Sequence, residues 1–164
     1  MIFSSPLAHE RPLASQTMPI FLQPPFASFS IVMMVLALHY QLGPWPVLFR
    51  VPALSMAFLG VGLGLVVLAR TYFTLRKTTL FVGRTSSQLV CDGPFRISRN
   101  PMYVGVVLCL LGMSFWFGTL PSLLAPVLSF CVLNFFHIPR EEAMLRAHFG
   151  DAYRTYTQQV RRWL

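Results

Sequence analysis

Residues 102–136 read MYVGVVLCLLGMSFWFGTLPSLLAPVLSFCVLNFF, and this stretch contains no Lys, Arg, Asp, Glu or His. At 1.5 Å per residue, about 35 helical residues extend about 50 Å, more than the roughly 30 Å hydrocarbon core of a bilayer. Gly118-Thr119-Leu120-Pro121 lies in the middle and is typical of a turn. The stretch therefore predicts two membrane helices joined in a tight hairpin.

The composition also favours a membrane location. Of the 164 residues, 55% are hydrophobic and 11% are charged, with a mean hydropathy of +0.60, whereas soluble domains average about 25% charged residues. The formal net charge is +8, but long apolar runs separate the basic residues. This pattern favours anionic lipid headgroups over nucleic acid as their partner. The three cysteines show no CxxC or Cys/His spacing, so no metal site or disulfide framework is predicted.

Two further apolar segments precede the hairpin. One runs from about Phe26 to about Pro46, the other from Val51 to about Ala69, and each approaches the roughly 20 residues that a bilayer requires. The predicted fold class is an all-α membrane protein with about four transmembrane helices. We predict a single domain over residues 26–164, preceded by a loosely ordered or interfacial lead-in over residues 1–25.

Basic residues predict the orientation of these helices. They are concentrated between the second and third spans and after residue 136, whereas the hairpin turn has none. Arg50, between the first and second spans, is the single basic residue that does not fit this distribution. By the positive-inside rule, the loop, the tail and both termini are cytoplasmic, in a multi-pass protein of the inner or plasma membrane. The basic residues of the loop are Arg70, Arg76, Lys77, Arg84, Arg96 and Arg99.

The tail carries an apolar stripe with helical spacing. Pro139 suits the first turn of a helix, Gly150 is expected to end that helix, and Asp151 is expected to cap the next one. We predict an amphipathic, folded tail on the cytoplasmic face. The residues of the stripe are Leu145, Phe149, Tyr153, Tyr156 and Val160.

The stretch 93–105, GPFRISRNPMYVG, is where a polar loop turns into the third span. Pro101 suits the first helical turn, and Asn100 is expected to cap it. Backbone N–H groups at such an entrance attract an anionic or carbonyl-rich ligand group. The same residues also fit a capped helix start whose arginines reach lipid phosphates. Both interpretations stay open.

A second cluster, 137–142, reads HIPREE and lies at the end of the fourth span, on the same membrane face. Four residues separate His137 from Glu141, so both face the same way if the helix continues. The helix dipole alone favours acids here, and Glu142 is expected to form an exposed pair with Arg146. Ligand binding and dipole compensation therefore both explain the glutamates.

Other candidate residues have simpler explanations. Gly60 and Gly64 form a small-xxx-small pattern that predicts close helix packing in the second span. His39 and His137 are placed near opposite membrane faces, which argues against a haem between them.

The two clusters together resemble the isoprenylcysteine carboxyl methyltransferase and phospholipid N-methyltransferase superfamily. That pattern is a Gly-Pro-Tyr/Phe loop, Arg-His-Pro-x-Tyr-x-Gly, a helical hairpin and a Glu-Glu pair. Here the loop is Gly93-Pro94-Phe95, Arg99 to Gly105 follow, and Glu141-Glu142 close the pattern. The resemblance covers about residues 80–164 and includes a family-like ending, Phe149-Gly150, Tyr153, Tyr156 and Val160-Arg161.

The resemblance implies S-adenosylmethionine, held in a cytoplasm-facing pocket under a folded tail. It implies methyl transfer to a lipophilic or membrane-associated thiol, carboxylate or amine, with no metal, no certain catalytic residue, and His137 facing the acceptor. The oligomeric state stays open. The implied cofactor contacts are Ser87, Gln88, Leu89, Val90, Phe95, Asn100, Pro101, Met102, Tyr103 and Glu141.

Two positions depart from the family pattern. Asn100 stands where the best-known members have His, and its amide still donates and accepts hydrogen bonds. His137 stands where they have Arg, so a permanent charge becomes one that titrates near neutrality, which weakens the case for a carboxylate acceptor. A non-catalytic scaffold and a small transporter are the alternatives, although all acidic residues lie outside the predicted spans.

Overall fold

The computed structural model describes residues 24–75 and 89–164, without the side chains of residues 24–29 and 73. Within these ranges no strand occurs, and the all-α prediction is confirmed. The lead-in predicted for residues 1–25 lies outside the described residues except for its last two, which already belong to a helix. The helices are α1 (Pro24–Gln41), α2 (Pro52–Leu75), α3 (Pro101–Phe117), α4 (Leu124–Val132), α5 (Ile138–Phe149) and α6 (Asp151–Gln159).

Short irregular turns connect several of these helices. Single 3₁₀ turns occupy Gly93–Arg96 and Leu120–Leu123, and a π-turn at Leu133–His137 joins α4 to α5. Two helical stretches, Pro52–Tyr72 and Leu120–Phe149, are long and apolar enough to cross a membrane by length and composition. Two shorter apolar helices, Ser30–Gln41 and Pro101–Phe117, accompany them.

The predicted hairpin between α3 and α4 is confirmed. Gly118 ends α3 with φ +70°, a conformation that favours glycine, and its N–H donates to Ser114 O at 2.8 Å. Ser114 Oγ donates to Ser122 O at 2.7 Å, and Ser122 Oγ donates to Thr119 O at 2.6 Å. Local hydrogen bonds therefore satisfy polar groups at a turn whose surroundings are apolar.

Helices α2 and α3 pack closely through glycines. A Cβ at Gly62 would lie 2.7 Å from Gly105 O, and a Cβ at Gly112 would lie 2.9 Å from Ser55 O. By contrast, a Cβ at Gly60 or Gly64 would meet nothing within 4 Å. The prediction that Gly60 and Gly64 mediate the packing is wrong, because the face of α2 turned toward α3 carries Gly62 instead.

The ends of the helices lie in two groups, one at the hairpin turn and one at the loop that leads into α3. At the hairpin end, the His39 ring of α1 lies 5.4 Å from Phe117, and Val51 N–H donates to Phe115 O at 3.2 Å. At the opposite end, Ala69 of α2 packs against the loop that leads into α3. Among the described residues, Arg50 is the single formally charged side chain at the hairpin end, where it lies 5.3 Å from the Trp116 ring.

Candidate active site

The loop before α3 is held by an apolar cluster. Gly93 has φ +58°, and a Cβ at this position would overlap the Tyr72 ring. Phe95 and Val90 are buried against Ala69, with Tyr72 and Met102 packed beside them. Glycine is therefore favoured at position 93 both by its backbone conformation and by the ring beside it.

Asn100 precedes α3 but does not cap it through its side chain. The backbone N–H of Tyr103, a usual target of a capping side chain, donates instead to Asn100 O at 3.0 Å. Asn100 Nδ2 donates to Arg162 O at 3.0 Å. Asn100 therefore occupies the predicted N-cap position, but its side chain makes no capping hydrogen bond and instead binds the C-terminal segment to the α3 entrance.

Glu141 of the 137–142 cluster contacts Tyr103 of the 93–105 stretch. Tyr103 Oη donates to Glu141 Oε1 at 2.5 Å, which connects the first turn of α3 to the first turn of α5. The helix continues from the π-turn into α5, so the condition under which His137 and Glu141 face the same way is met.

The structure brings most of the predicted cofactor residues to one end of the helices. Val90, Phe95 and Met102 share one apolar cluster, whereas Leu89 packs against the tail. Pro101 is buried at the start of α3. Ser87 and Gln88 lie outside the described residues.

Glu142 is buried, contrary to the prediction of an exposed helix pair. It is 4% exposed, and its carboxylate lies 2.8 Å from Arg99 Nη2 and 2.8 Å from Arg162 Nη2. The expected pair with Arg146 is also present, at the longer distance of 3.7 Å. Hydrogen bonds to Glu142 raise the pKa of the Arg162 guanidinium. Glu142 therefore joins α5 to both the loop and the tail, since Arg99 and Arg162 come from these two segments.

The tail is folded, as predicted. Tyr153, Tyr156 and Val160 are buried together, with Leu89 and Leu145 packed against them. Burial raises the pKa of Tyr153 to about 12. With Phe149, which also packs here, this cluster contains all five residues of the apolar stripe that the sequence predicted.

Of the two predictions about the junction between α5 and α6, one is confirmed and one is wrong. The chain breaks at Gly150 as predicted, with φ +51° between α5 and α6. Asp151 is the first residue of α6 and not its cap, and no side chain caps this helix. The capping role expected of Asp151 is therefore wrong.

Hydrogen bonds tie the tail to the loop. Tyr156 Oη donates to Phe95 O at 2.7 Å, and Arg99 N–H donates to Arg161 O at 2.9 Å. The loop and the tail thus form one polar layer across the start of α3.

His137 ends the π-turn and is 5% exposed, whereas Phe135 and Phe136 before it are 66% and 58% exposed. Pro139 explains the π-turn, because proline lacks an N–H and its ring clashes with the carbonyl four residues earlier. The wider turn relieves that clash.

Two residues of the site were not singled out by the sequence. The Arg162 side chain pairs with Glu142, and Trp163 Nε1 donates to Asn134 Oδ1 at 3.0 Å. The Trp163 ring lies 4.7 Å from Phe130. Their one sequence signal is a basic pair followed by an aromatic residue at the end of an amphipathic helix.

The fold and the site define an all-helical protein of membrane type. A layer of charged and polar side chains lies at one end of its helices. A model of the phospholipid methyltransferase family matches residues 52–152, which is more than half of the chain. The chain belongs to the phospholipid methyltransferase family. The resemblance drawn from the loop and the glutamate pair is confirmed.

Two relatives match parts of the chain. An uncharacterized protein of Haemophilus influenzae is 44% identical over 63 residues, which are 38% of this chain and 100% of that protein. The protein-S-isoprenylcysteine O-methyltransferase of Schizosaccharomyces pombe is 38% identical over 74 residues, which are 44% of this chain and 30% of that enzyme. The chain thus spans less than a third of the yeast enzyme's length. No solved structure matches significantly.

Proposed function

We propose that the protein transfers a methyl group from S-adenosylmethionine to a lipophilic or membrane-associated acceptor at the cytoplasmic membrane face. The observation that supports this most is the hydrogen bond from Tyr103 to Glu141. It brings the two sequence clusters together beneath a folded tail. The arrangement gives a polar end to helices that are otherwise apolar.

The residues present fit this cofactor. Met102, partly buried beside Val90 and Phe95, offers an apolar contact to a purine ring, and Glu141 suits ribose hydroxyls or an ammonium group. Arg99 Nε is buried with no hydrogen-bond partner in the described part of the chain, and it suits a carboxylate. Leu89, Asn100, Pro101 and Tyr103, with Ser87 and Gln88 from outside the described ranges, complete the proposed contacts. No metal is needed.

When bound, the cofactor supplies a methyl group on a positively charged sulfur that a nucleophile displaces. The chain then has two tasks, to align the acceptor and to exclude water. Alignment supplies several kcal/mol, on the order of 7 to 11 in favourable cases. The packed tail around Tyr153 and Tyr156 keeps water away from the α3 entrance. His137 is proposed to face the acceptor, which stays open among thiol, carboxylate and amine.

We also propose four membrane spans in a single domain over residues 26–164. The α1 and α3 helices have 18 and 17 residues, which is close to the lower limit of roughly 17 residues for a span. The charge asymmetry between the two helix ends supports cytoplasmic termini. A cysteine placed at Ser86 should resist an impermeant thiol reagent added outside intact cells. Reaction there would contradict the orientation.

Cofactor binding is the decisive test of the proposed function. Detergent-purified protein should bind S-adenosylmethionine and S-adenosylhomocysteine in isothermal titration. Tritiated S-adenosylmethionine should then label at least one of three acceptors in mixed micelles: phosphatidylethanolamine, S-farnesylcysteine or a long-chain alkyl thiol. Binding without label transfer would favour the non-catalytic scaffold. Binding of neither compound would exclude the methyltransferase function.

A further inference from the structure

The last residues of the chain contact three separate elements of the site. The backbone carbonyls of Arg161 and Arg162 accept hydrogen bonds from Arg99 N–H and from Asn100 Nδ2. The Arg162 side chain reaches Glu142 in α5, and the Trp163 indole reaches Asn134 in the π-turn. The segment 161–163 therefore connects the α3 entrance to the helix that carries His137.

Arg162 and Trp163 hold that helix on both sides of His137. Arg162 Nε and Nη2 lie 3.1 and 2.8 Å from the Glu142 carboxylate, which follows His137 in the chain. The Trp163 indole binds Asn134, three residues before His137, and its ring packs on Phe130 one turn earlier. Two adjacent residues thus contact the helix before, within and after the π-turn.

A π-turn needs such support more than an ordinary helical turn does. Its hydrogen bonds span five residues instead of four, it is rare, and it is frequently found at functional sites. The position of His137 depends on the turn, because the turn ends at that residue. A contact that fixes Asn134 therefore also fixes where the His137 ring lies.

We propose that Trp163 is a positioning residue of the acceptor side, which acts through Asn134 and the π-turn on His137. The proposal rests on the proposed function only in assuming that His137 faces the acceptor. The matched family segment ends at residue 152, so Trp163 lies beyond it. Arg162 has a different role, because its side chain holds Glu142 and its carbonyl holds Asn100 at the α3 entrance.

The test uses Trp163→Phe, which keeps an aromatic ring against Phe130 and removes the indole N–H. Histidine ring signals are recorded by NMR in detergent micelles and assigned by substitution of each histidine. We expect the His137 signals to move and those of His39, near the hairpin turn, to stay. The dissociation constant for S-adenosylhomocysteine should change less than about twofold, since the α3 entrance keeps its contacts. Trp116→Phe, at the hairpin end, is the matched control and should leave His137 unmoved.

A double substitution separates a direct path from general loosening. In protein that already carries Asn134→Leu, the change Trp163→Phe should not move His137 further, since the shared hydrogen bond is already gone. Unmoved His137 signals in Trp163→Phe would overturn the proposal, and so would equal movement of His137 and His39. Failure of the wild-type protein to bind S-adenosylhomocysteine would reject the proposed function instead, and the NMR comparison would still decide the role of Trp163.

Discussion

The two ends of the α3–α4 hairpin are held by different kinds of interaction. At the turn end, Ser114 and Ser122 bond to backbone groups no more than eight residues away. At the loop end, Asn100 bonds to a carbonyl 62 residues along the chain, and Tyr103 to a carboxylate 38 residues along it. The turn end therefore depends on local chemistry, whereas the loop end exists only once the tail has folded over it.

This difference leads us to expect effects on ligand binding at one end only. Charged and long-range contacts gather at the loop end, which carries the proposed cofactor site. The turn end, among the described residues, presents a single formal charge, that of Arg50. Substitutions that affect ligand binding should therefore map to the loop end, and those at the turn end should change stability alone.

The largest effect is expected for Glu142→Gln. Loss of the carboxylate leaves Arg99 and Arg162 without their anion, and breaking a buried ion pair costs about 3 to 5 kcal/mol of unfolding free energy. Unfolding in mixed micelles measures this loss. Asp151→Asn is the matched control, because Asp151 is exposed, and it should stay within about 0.5 kcal/mol. Equal small losses would show that Glu142 is solvated and that the ion cluster does not join the tail to the loop.

Glu141→Gln should act on binding more than on stability. The change keeps size and polarity but deletes the charge, so affinity for S-adenosylmethionine should fall by about 1.5 to 3 kcal/mol, or about tenfold or more. Isothermal titration measures it beside Glu142→Gln. An unchanged dissociation constant would remove Glu141 from the cofactor site.

Gly112→Ala tests the turn half of α3. The added methyl group would lie 2.9 Å from Ser55 O, so we expect about 1 to 3 kcal/mol of destabilisation from overpacking. Gly60→Ala, which meets nothing within 4 Å, should be neutral or stabilising by up to about 1 kcal/mol through helix propensity. Cofactor affinity should not change in either variant. A drop in affinity for Gly112→Ala would break the separation between the two ends.

Asn100→Ala should have the smallest effect on stability. One neutral hydrogen bond to Arg162 O is lost, at a cost of about 1 kcal/mol, and cofactor affinity should weaken in parallel. Asn100→His keeps a ring N–H donor and should be tolerated. If Asn100→Ala binds S-adenosylmethionine as tightly as the wild type, the residue only attaches the tail.

Much of the architecture follows from local features of the sequence. The hairpin turn at Gly118, the break at Gly150 and the apolar stripe of the tail were predicted in place. Each of these three depends on hydrophobicity or turn chemistry within a few residues. The sequence also predicted, from the number of spans, that residues near 100 and residues near 141 lie at the same end.

The roles of individual side chains at the site were predicted less well. Adjacent residues on a helix point about 100° apart, so the pair Glu141-Glu142 alone does not show which carboxylate faces the arginines. Asn100 was expected to accept a hydrogen bond within its own turn, but its side chain is turned toward the tail, where Nδ2 donates to Arg162 O. For a similar reason, Gly62 lies at the contact with α3 and Gly60 and Gly64 do not. These positions of α2 face different directions.

The sequence by itself therefore determined the all-α class, the apolar helices, the turn at Gly118 and the end of the helices where charge collects. These properties depend on residues close together in the chain. Only the tertiary structure decided that Glu142 is buried between Arg99 and Arg162, and that Trp163 binds Asn134. Such contacts depend on which helix faces turn toward each other, and packing of the whole chain sets those faces.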